Sequence, residues 1–326
     1  MIEILLKEWI EQVKYYIHLI ADYSIKESQV GAVLDDVLNL SGKMLRSKLL
    51  LLCAFLGSNW KNNKEKICKL AAMVELTHLA SLIHDDIVDD SPYRRGKVSV
   101  QGKYGKDAAV FAGDFLIARI FYYGAVENLN EAVSILSKTV EYMCIGEIEQ
   151  DLCRYQEDIS EKKYFENIER KTAALFQAAS YIGAKEAGCS EEIIQKLGLF
   201  VKNLGLMFQL KDDILDFTSN SKELGKETHK DFQNGIYTFP VIMALKNLKA
   251  KEVLLPIMRK NKEEKLSLAE ILQLQNYIIQ FGGIEASYEK IKYLSNINRQ
   301  LIKELGQNSK ITVYLEKILN DLEVEN

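Results

Sequence analysis

Two aspartate-rich boxes constrain this chain more than any other feature of its sequence. They read Asp85-Asp86-Ile87-Val88-Asp89-Asp90 and Asp212-Asp213-Ile214-Leu215-Asp216, so both contain the pattern Asp-Asp-x-x-Asp. Each follows an apolar segment with helical spacing. Because helical positions four apart share a face, Asp85 projects with Asp89, and Asp212 projects with Asp216. Carboxylates in the last turn of a helix oppose its macrodipole by about 0.3–1 kcal/mol each. The pattern therefore predicts either solvated acidic helix ends or two sites that cations normally fill.

Basic side chains follow both boxes and favour the cation-binding alternative. Arg94 and Arg95 come after the first box, and Lys222 and Lys226 come after the second. Clustered carboxylate oxygens suit a hard cation such as Mg2+, which keeps waters and often shares phosphate ligands. Arg offers phosphate a bidentate fork and Lys a point charge. These residues predict a site for a metal-bridged polyphosphate. The sequence contains no Gly-x-x-x-x-Gly-Lys-Ser/Thr loop, which argues against nucleotide hydrolysis.

Composition predicts an all-α protein. With 3 prolines and 18 glycines in 326 residues, helices should fill almost the whole chain. There is no linker or composition break, so we expect a single domain over 1–326, a bundle of about ten or more helices around a central cavity. The net charge of −4 gives no reason to expect nucleic acid or an anionic membrane surface as a partner. No apolar run reaches eighteen residues, so stable membrane insertion is not expected.

The cysteines and the N-terminus predict a cytoplasmic protein. The five cysteines form no Cys-x-x-Cys pair and are odd in number, which predicts buried free thiols in a reducing compartment. Charged residues such as Glu3 and Lys7 interrupt the apolar residues of the N-terminus, and no signal peptide is recognisable there.

Apolar periodicity places the helices that carry the boxes. Helices are expected at about 44–56, 67–87, 106–127, 130–156, 160–184 and 190–217, with polar loops at 91–105 and 218–235. The helix over 67–87 is apolar on most sides, so it should be buried and deliver the first box. Another helix should begin near Pro240, because proline suits a first helical turn. Charged residues at the end of this helix and apolar residues before them fit an amphiphilic ligand with a diphosphate head and an apolar tail. Most side chains of 76–83 would also suit an ordinary hydrophobic core.

Taken in order, these residues resemble the all-trans isoprenyl diphosphate synthases. Besides the two boxes, the motifs are Gly42-Lys43-Met44-Leu45-Arg46, Glu75-Leu76-Thr77-His78, Gly113-Asp114, Lys171-Thr172 and Leu224-Gly225-Lys226. The resemblance covers about residues 40–245. It implies the isoprenoid synthase fold and a Mg2+-dependent head-to-tail (1'-4) condensation of isopentenyl diphosphate with an allylic prenyl diphosphate. The product would be an all-trans polyprenyl diphosphate of the kind used for quinone side chains.

The resemblance also implies roles for individual residues. Two or three Mg2+ ions would bridge the diphosphate, ligated by Asp85, Asp89 and Asp212, with Asp86, Asp213 and Asp216 in support. The side chains expected to hold the allylic diphosphate are Arg94, Lys171 and Lys226. Those expected to hold isopentenyl diphosphate are Lys43, Arg46, His78 and Arg95. Thr172 and Gln209 would face the developing allylic cation.

Residues before the first box form the floor of the product tunnel in this family, and short-chain members place an aromatic side chain there. This chain has Leu79-Ala80-Ser81 instead, and no aromatic residue lies between Trp60 and Tyr93. A helix from Met73 to Asp85 spans roughly 18 Å at ~1.5 Å per residue. We therefore expect a long product, of hexaprenyl to octaprenyl class, with its length set by Ala80, Ser81, Thr77 and Met73.

Other functions share some of these features. Geranylgeranyl or farnesyl diphosphate synthesis would require another helix to close the tunnel. A terpene cyclase also uses an aspartate-rich box, but it needs neither an isopentenyl diphosphate site nor this second box. A non-catalytic subunit would be expected to lose the carboxylates. A homodimer is implied by the resemblance, and a heterodimer with a small accessory subunit is the alternative.

Two single-residue interpretations stay open, and the sequence departs from the family pattern at Ser47, in the stretch Gly235 to Pro240 and at its acidic last residues. His78 alone would fit a core histidine, and Gln209 alone would fit a helix-turn cap. The Arg-Pro that commonly follows the glycine-lysine motif is Arg46-Ser47 in this chain.

Overall fold

The computed structural model describes residues 2–22, 28–39, 42–94, 96–218, 230–306 and 310–323. Over these residues the chain is all-α, which confirms the predicted class. The first helices are α1 (Ile2–Ile20), α2 (Gln29–Leu38), α3 (Leu45–Ala54), α4 (Lys64–Val88), α5 (Val100–Tyr104) and α6 (Lys106–Val126). They are followed by α7 (Asn130–Leu152), α8 (Glu161–Ile168), a π-helical turn π1 (Glu169–Ala173), α9 (Ala174–Glu186) and α10 (Glu191–Thr218). The remaining helices are α11 (Lys230–Gln233), α12 (Phe239–Ala244), α13 (Leu248–Glu263), α14 (Leu268–Gln280), α15 (Gly283–Glu304) and α16 (Lys310–Glu323).

The predicted helices agree with the observed ones, with four differences. The predicted loop over 218–235 contains the short helix α11 among its described residues. The predicted helix over 130–156 ends at Leu152, and Tyr155 beyond it has a φ of 61°, in the left-handed region that a helix does not adopt. The predicted helix over 160–184 is interrupted by π1. The predicted loop over 91–105 contains α5 and a small antiparallel hairpin, β1 (Tyr93–Arg94) paired with β2 (Lys97–Val98). Pro240 lies in the first turn of α12, as predicted.

The described residues fall into two compact units. The first comprises the described parts of Met1–Val140, Leu175–Leu199 and Asn308–Ile311, and the second comprises those of Glu141–Ala174, Phe200–Gln307 and Thr312–Asn326. The single domain expected over 1–326 stays a prediction.

In the first unit α4 is the central helix and packs on α1, α3 and α6. Its residues are buried on nearly all sides from Ile67 to Ala80, as its apolar sequence predicted. Helix α1 joins this core through Trp9, whose ring lies 4.9 Å from Phe55 and 5.6 Å from Trp60. Burial of each large apolar side chain contributes roughly 1.5–3 kcal/mol, so this core holds α4 and its terminal carboxylates in place.

In the second unit α12 packs against α8, α14 and α15. Its Phe239 ring is buried and lies 5.5 Å from Tyr164 and 5.3 Å from Phe165. A buried amide pair also contributes to this unit, because Asn203 donates to Asn298 at 2.9 Å and Asn298 donates to the Phe200 carbonyl at 3.0 Å. These contacts hold α8 against α12 and α10 against α15.

Two helices, α4 and α6, are long and apolar enough to cross a membrane by length and composition alone. The apolar window of α4 is 72% buried, which is typical of a core helix, whereas that of α6 is only 39% buried. Length and composition are weak evidence for a membrane span, since core helices meet the same criteria.

The cysteines match the prediction only in part. All five are free thiols, and Cys53 and Cys68 are buried as expected. Cys144, however, is exposed, and Cys153 and Cys189 are partly exposed, so the prediction of buried thiols is wrong for these three. Their positions on helix surfaces and at helix ends explain the difference, because scattered spacing alone does not reveal which face of a helix is buried.

Candidate active site

The first box lies at the C-terminal end of α4, and its second aspartate already has a protein partner. Asp86 is buried and accepts from Arg94 Nε at 2.8 Å through both carboxylate oxygens, with Arg94 Nη2 also 2.8 Å from Oδ1. Asp85 and Asp89 are only partly buried. Asp90 is exposed and pairs with Lys106 at 2.9 Å. The box therefore separates into a buried ion pair and two more accessible carboxylates four residues apart.

Gln101 holds the end of α4 and was not identified from the sequence. Its side-chain amide donates to the Asp86 carbonyl at 2.6 Å, and the Ser91 N–H donates to the same carbonyl at 2.9 Å. Carbonyls at a helix C-terminus have no intrahelical partner, so these donors stabilise the turn that carries the box. No local pattern marks Gln101, because it lies in α5 and contacts α4 only where the chain folds back on that helix.

Arg46 and His78, both predicted to hold isopentenyl diphosphate, lie together. Arg46 Nη1 is 2.8 Å from His78 Nε2, and its guanidinium lies 4.6 Å from the centroid of the Phe176 ring. Arg can only donate, so Nε2 accepts and the imidazole carries its proton on Nδ1. Lys43 is exposed just before α3.

His84, one residue before the first box, packs on α6. Its Nε2 lies 3.4 Å from Asp114 Oδ1 and 3.3 Å from the Val110 carbonyl. A Cβ at Gly113 would meet the imidazole at 2.3 Å, so this glycine allows the ring to pack against α6. His84 thus turns towards α6 rather than taking part in the carboxylate set.

The residues expected to set product length lie in α4, on the N-terminal side of the first box. Ala80 and Met73 are completely buried, Thr77 is buried and donates to the Met73 carbonyl at 2.9 Å, and Ser81 donates to the His78 carbonyl. The Met73 methyl group lies beside Gly124, where an added Cβ would meet it at 3.0 Å. Phe111 of α6, the helix that packs beside α4, is 71% exposed.

The second box shows the same division of its carboxylates. Asp213 is buried near the end of α10, accepting from Tyr164 Oη at 2.5 Å and from Gln209 Nε2 at 2.9 Å. Burial raises the pKa of Asp213 to about 7. Burial, followed by the negative charge of Asp213, raises the pKa of Tyr164 well above its ordinary value. Asp212 is exposed and Asp216 is partly buried.

Thr172 and Gln209, both predicted to face the allylic cation, are hydrogen-bonded to each other. Thr172 Oγ1 donates to Gln209 Oε1 at 2.9 Å, and Thr172 lies in π1. An added Cβ would meet Arg170 Cβ at 3.0 Å if placed on Gly146, and Ala173 Cα at 2.8 Å if placed on Gly205. These two glycines let α7 and α10 approach π1, and π-helical turns of this kind are frequent at functional sites.

Lys171, predicted to hold the allylic diphosphate, pairs with Glu147 of α7 at 3.0 Å. The neighbouring Glu149 pairs instead with Lys163 at 2.9 Å and with Arg170. The Lys163 hydrogen bond is the largest of the effects that lower the pKa of Glu149. Glu147 and Tyr164 are the site residues that sequence reasoning missed in this unit. The apolar periodicity placed both residues on helices but could not show which neighbouring side chains they contact.

Three predicted residues cannot be placed. Arg95, Lys226 and Lys222 lie outside the described residues.

The more accessible carboxylates of the two boxes suit Mg2+ by their chemistry. Within the described ranges, no group of three or more His, Cys, Asp or Glu side chains lies close enough to hold a metal ion. Mg2+ usually binds through one or two carboxylates plus water and substrate phosphates, so a three-residue protein cage is not required. Asp85 with Asp89, and Asp212 with Asp216, offer only oxygen ligands in pairs at two helix ends. Each pair therefore fits Mg2+ bound together with a diphosphate.

Known proteins share this chain's sequence and fold. Residues 27–275 match the family described as polyprenyl synthetase. The heptaprenyl diphosphate synthase component 2 of Geobacillus stearothermophilus is 34% identical over 265 residues, 80% of each chain. A polyprenyl synthase from Caulobacter crescentus CB15, solved with calcium and isoprenyl diphosphate, superposes with a TM-score of 0.88 at 29% identity, covering 99% of this chain and 96% of that one. The Staphylococcus aureus heptaprenyl diphosphate synthase gives a TM-score of 0.86 at 25% identity, covering 98% of both chains.

The family match spans more than half of the chain, and the motifs that carried the resemblance fall largely within it. The chain therefore belongs to the polyprenyl synthetase family.

Proposed function

We propose that this protein is a trans-polyprenyl diphosphate synthase that condenses isopentenyl diphosphate with an allylic prenyl diphosphate, head to tail. The observation that carries the proposal is the common arrangement of the two boxes. In each box, the second aspartate is buried and accepts hydrogen bonds from the protein. The aspartates one position before it and three positions after it are more accessible to solvent. Such pairs suit a cation that also takes phosphate oxygens.

Asp85, Asp89, Asp212 and Asp216 would hold the Mg2+ ions, with Asp86 and Asp213 orienting the helix ends that carry them. Bound Mg2+ would neutralise charge on the departing diphosphate. Arg94 and Lys171, with Lys226 outside the described residues, contribute positive charge for the allylic diphosphate. Arg46 and His78, with Lys43 and Arg95, hold isopentenyl diphosphate. The calcium and isoprenyl diphosphate of the Caulobacter relative support this assignment.

The reaction needs no protein nucleophile. The allylic C1–O bond breaks, and both of its electrons leave with the diphosphate. The double bond of isopentenyl diphosphate then attacks C1 through C4, and a proton is lost from C2 to the released diphosphate. Thr172 and Gln209 would place their oxygens near the developing cation, where fixed dipoles stabilise charge without reorganisation.

A long product, of hexaprenyl to octaprenyl class, fits the small Ala80 and the absence of an aromatic residue just before the first box. The heptaprenyl synthases among the relatives support the same length class. Cytoplasmic localisation remains part of this proposal.

The chain would act as a homodimer through α6. Phe111 and Tyr122 are 71% and 61% exposed on a helix that is apolar all round. Exposed apolar stripes of this kind are typical of protein interfaces. Because the Geobacillus relative is one component of a synthase, a second subunit is the alternative. Light scattering of the purified chain, alone and after Phe111→Glu, distinguishes a self-associating chain from one that requires a partner.

The function is tested by incubating the purified chain with Mg2+, isopentenyl diphosphate and farnesyl or geranylgeranyl diphosphate, then sizing the products. We expect elongation that stops when EDTA removes the metal. Release of diphosphate from the allylic substrate alone, with a cyclic hydrocarbon as product, would instead identify a terpene cyclase. No elongation by the chain alone would contradict a self-sufficient synthase.

A further inference from the structure

We propose that Tyr164 is a positioning residue that orients Gln209 and Thr172 through Asp213. This inference rests on the proposed function, which places the last two side chains beside the allylic cation. The juxtaposition was not visible in the sequence, because 49 residues separate Tyr164 from Asp213.

A single chain of hydrogen bonds joins the four side chains. Tyr164 Oη donates to Asp213 Oδ2 at 2.5 Å, and Gln209 Nε2 donates to Asp213 Oδ1 at 2.9 Å. Since the carboxylate accepts the amide N–H, the carbonyl end of Gln209 turns to Thr172, whose hydroxyl donates to it at 2.9 Å. Each donor thus determines the direction of the next dipole.

Tyr164 is itself held in place. Its ring is buried and lies 5.2 Å from Phe165 and 5.5 Å from Phe239. The helix that carries it begins at a capped residue, since the Ser160 hydroxyl accepts from the Lys163 N–H at 3.1 Å. A buried hydroxyl on a ring with so little freedom fixes one oxygen of Asp213.

Loss of that hydroxyl would free Asp213 to rotate, so the Gln209 amide that donates to it would no longer be held in one position. Stabilisation of a developing charge depends on dipoles that are already oriented, and small misplacements reduce rates strongly. Substrate binding relies on Arg94, Lys171 and the metal-binding carboxylates instead. Tyr164 should therefore affect the chemical step more than substrate affinity.

The test is Tyr164→Phe, which keeps the ring and removes only the hydroxyl. We expect kcat to fall about tenfold or more, with KM for both substrates within about twofold of wild type. In a Gln209→Ala background the same change should have almost no further effect, because no amide remains to be positioned. Tyr123→Phe is the matched control: it also removes a buried hydroxyl, one with no hydrogen-bond partner among the described residues.

Asp213→Asn provides a second test if Tyr164→Phe folds poorly. An asparagine has a single acceptor oxygen and cannot accept from both Tyr164 and Gln209, so one of the two hydrogen bonds must be lost or reversed, and kcat should again fall. An unchanged kcat in Tyr164→Phe, or losses that multiply independently with Gln209→Ala, would overturn the positioning role while leaving the synthase intact. A wild-type chain that does not elongate would overturn the proposed function itself.

Discussion

Ser47 in the first turn of α3 is bonded to the buried Glu75 of α4. Its backbone N–H donates to Glu75 Oε2 at 3.3 Å, and its hydroxyl lies 2.8 Å from the same oxygen. The family commonly has proline at this position, which can provide neither donor. This Ser47–Glu75 contact joins α3 to α4 one residue after Arg46 and one turn before His78. It therefore holds Arg46 and His78 in their relative positions.

Ser47→Pro should therefore destabilise the protein more than Ser47→Ala, which keeps the N–H. A buried carboxylate deprived of its donors costs about 1–3 kcal/mol. Urea unfolding of the two variants and wild type measures the difference. If Ser47→Pro has the same urea midpoint of unfolding as the wild type, the hydrogen bonds from Ser47 to Glu75 do not contribute to stability.

The first box permits a matched test within six residues. Asp85→Asn and Asp89→Asn should each lower kcat/KM on the order of 100-fold, because removing one stabiliser of developing charge typically has an effect of this size. Asp90→Asn should stay within about twofold, since this exposed carboxylate pairs with Lys106. Equal losses in all three would indicate that only the summed negative charge matters.

Glu147 should compete with the allylic diphosphate for Lys171. The Lys171–Glu147 ion pair is partly exposed, with side chains 25% and 31% accessible, so its interaction free energy is at most about 1 kcal/mol. Glu147→Gln should then lower the KM of the allylic substrate by up to about fivefold. Glu149→Gln is the control, because that carboxylate pairs with Lys163 and Arg170 instead. A raised KM in Glu147→Gln would mean that the glutamate positions Lys171 for the substrate.

Side-chain volume on α4 should set product length. Ala80→Phe should shorten the product, since it places an aromatic ring about 7.5 Å along the helix from Asp85. Met73→Ala should lengthen it by opening space beside Gly124. Chromatographic sizing of the products checks both, and an unchanged distribution in Ala80→Phe would remove this residue from the tunnel floor.

Two helical glycines should respond to alanine in opposite directions. A Cβ at Gly183 would lie 2.3 Å from the Leu50 carbonyl, so Gly183→Ala should destabilise by about 1–3 kcal/mol. Gly198 in α10 has open space around it, and Gly198→Ala should stabilise by about 0.5–1 kcal/mol. Urea midpoints measure both variants, and destabilisation by Gly198→Ala would contradict the open space.

The sequence alone determined the helices, the two boxes and the family. Apolar periodicity and the Asp-Asp-x-x-Asp spacing are local properties, and they placed Asp85 and Asp212 near helix ends without reference to other elements. Only the tertiary structure decided which side chains meet. Ser47 with Glu75, Tyr164 with Asp213 and Lys171 with Glu147 are 24 to 49 residues apart. The π-helical turn likewise lies close to Gly146 and Gly205, whose lack of a side chain lets α7 and α10 approach it. Such contacts depend on how helices pack and which rotamers that packing allows, and helical periodicity carries no information about either.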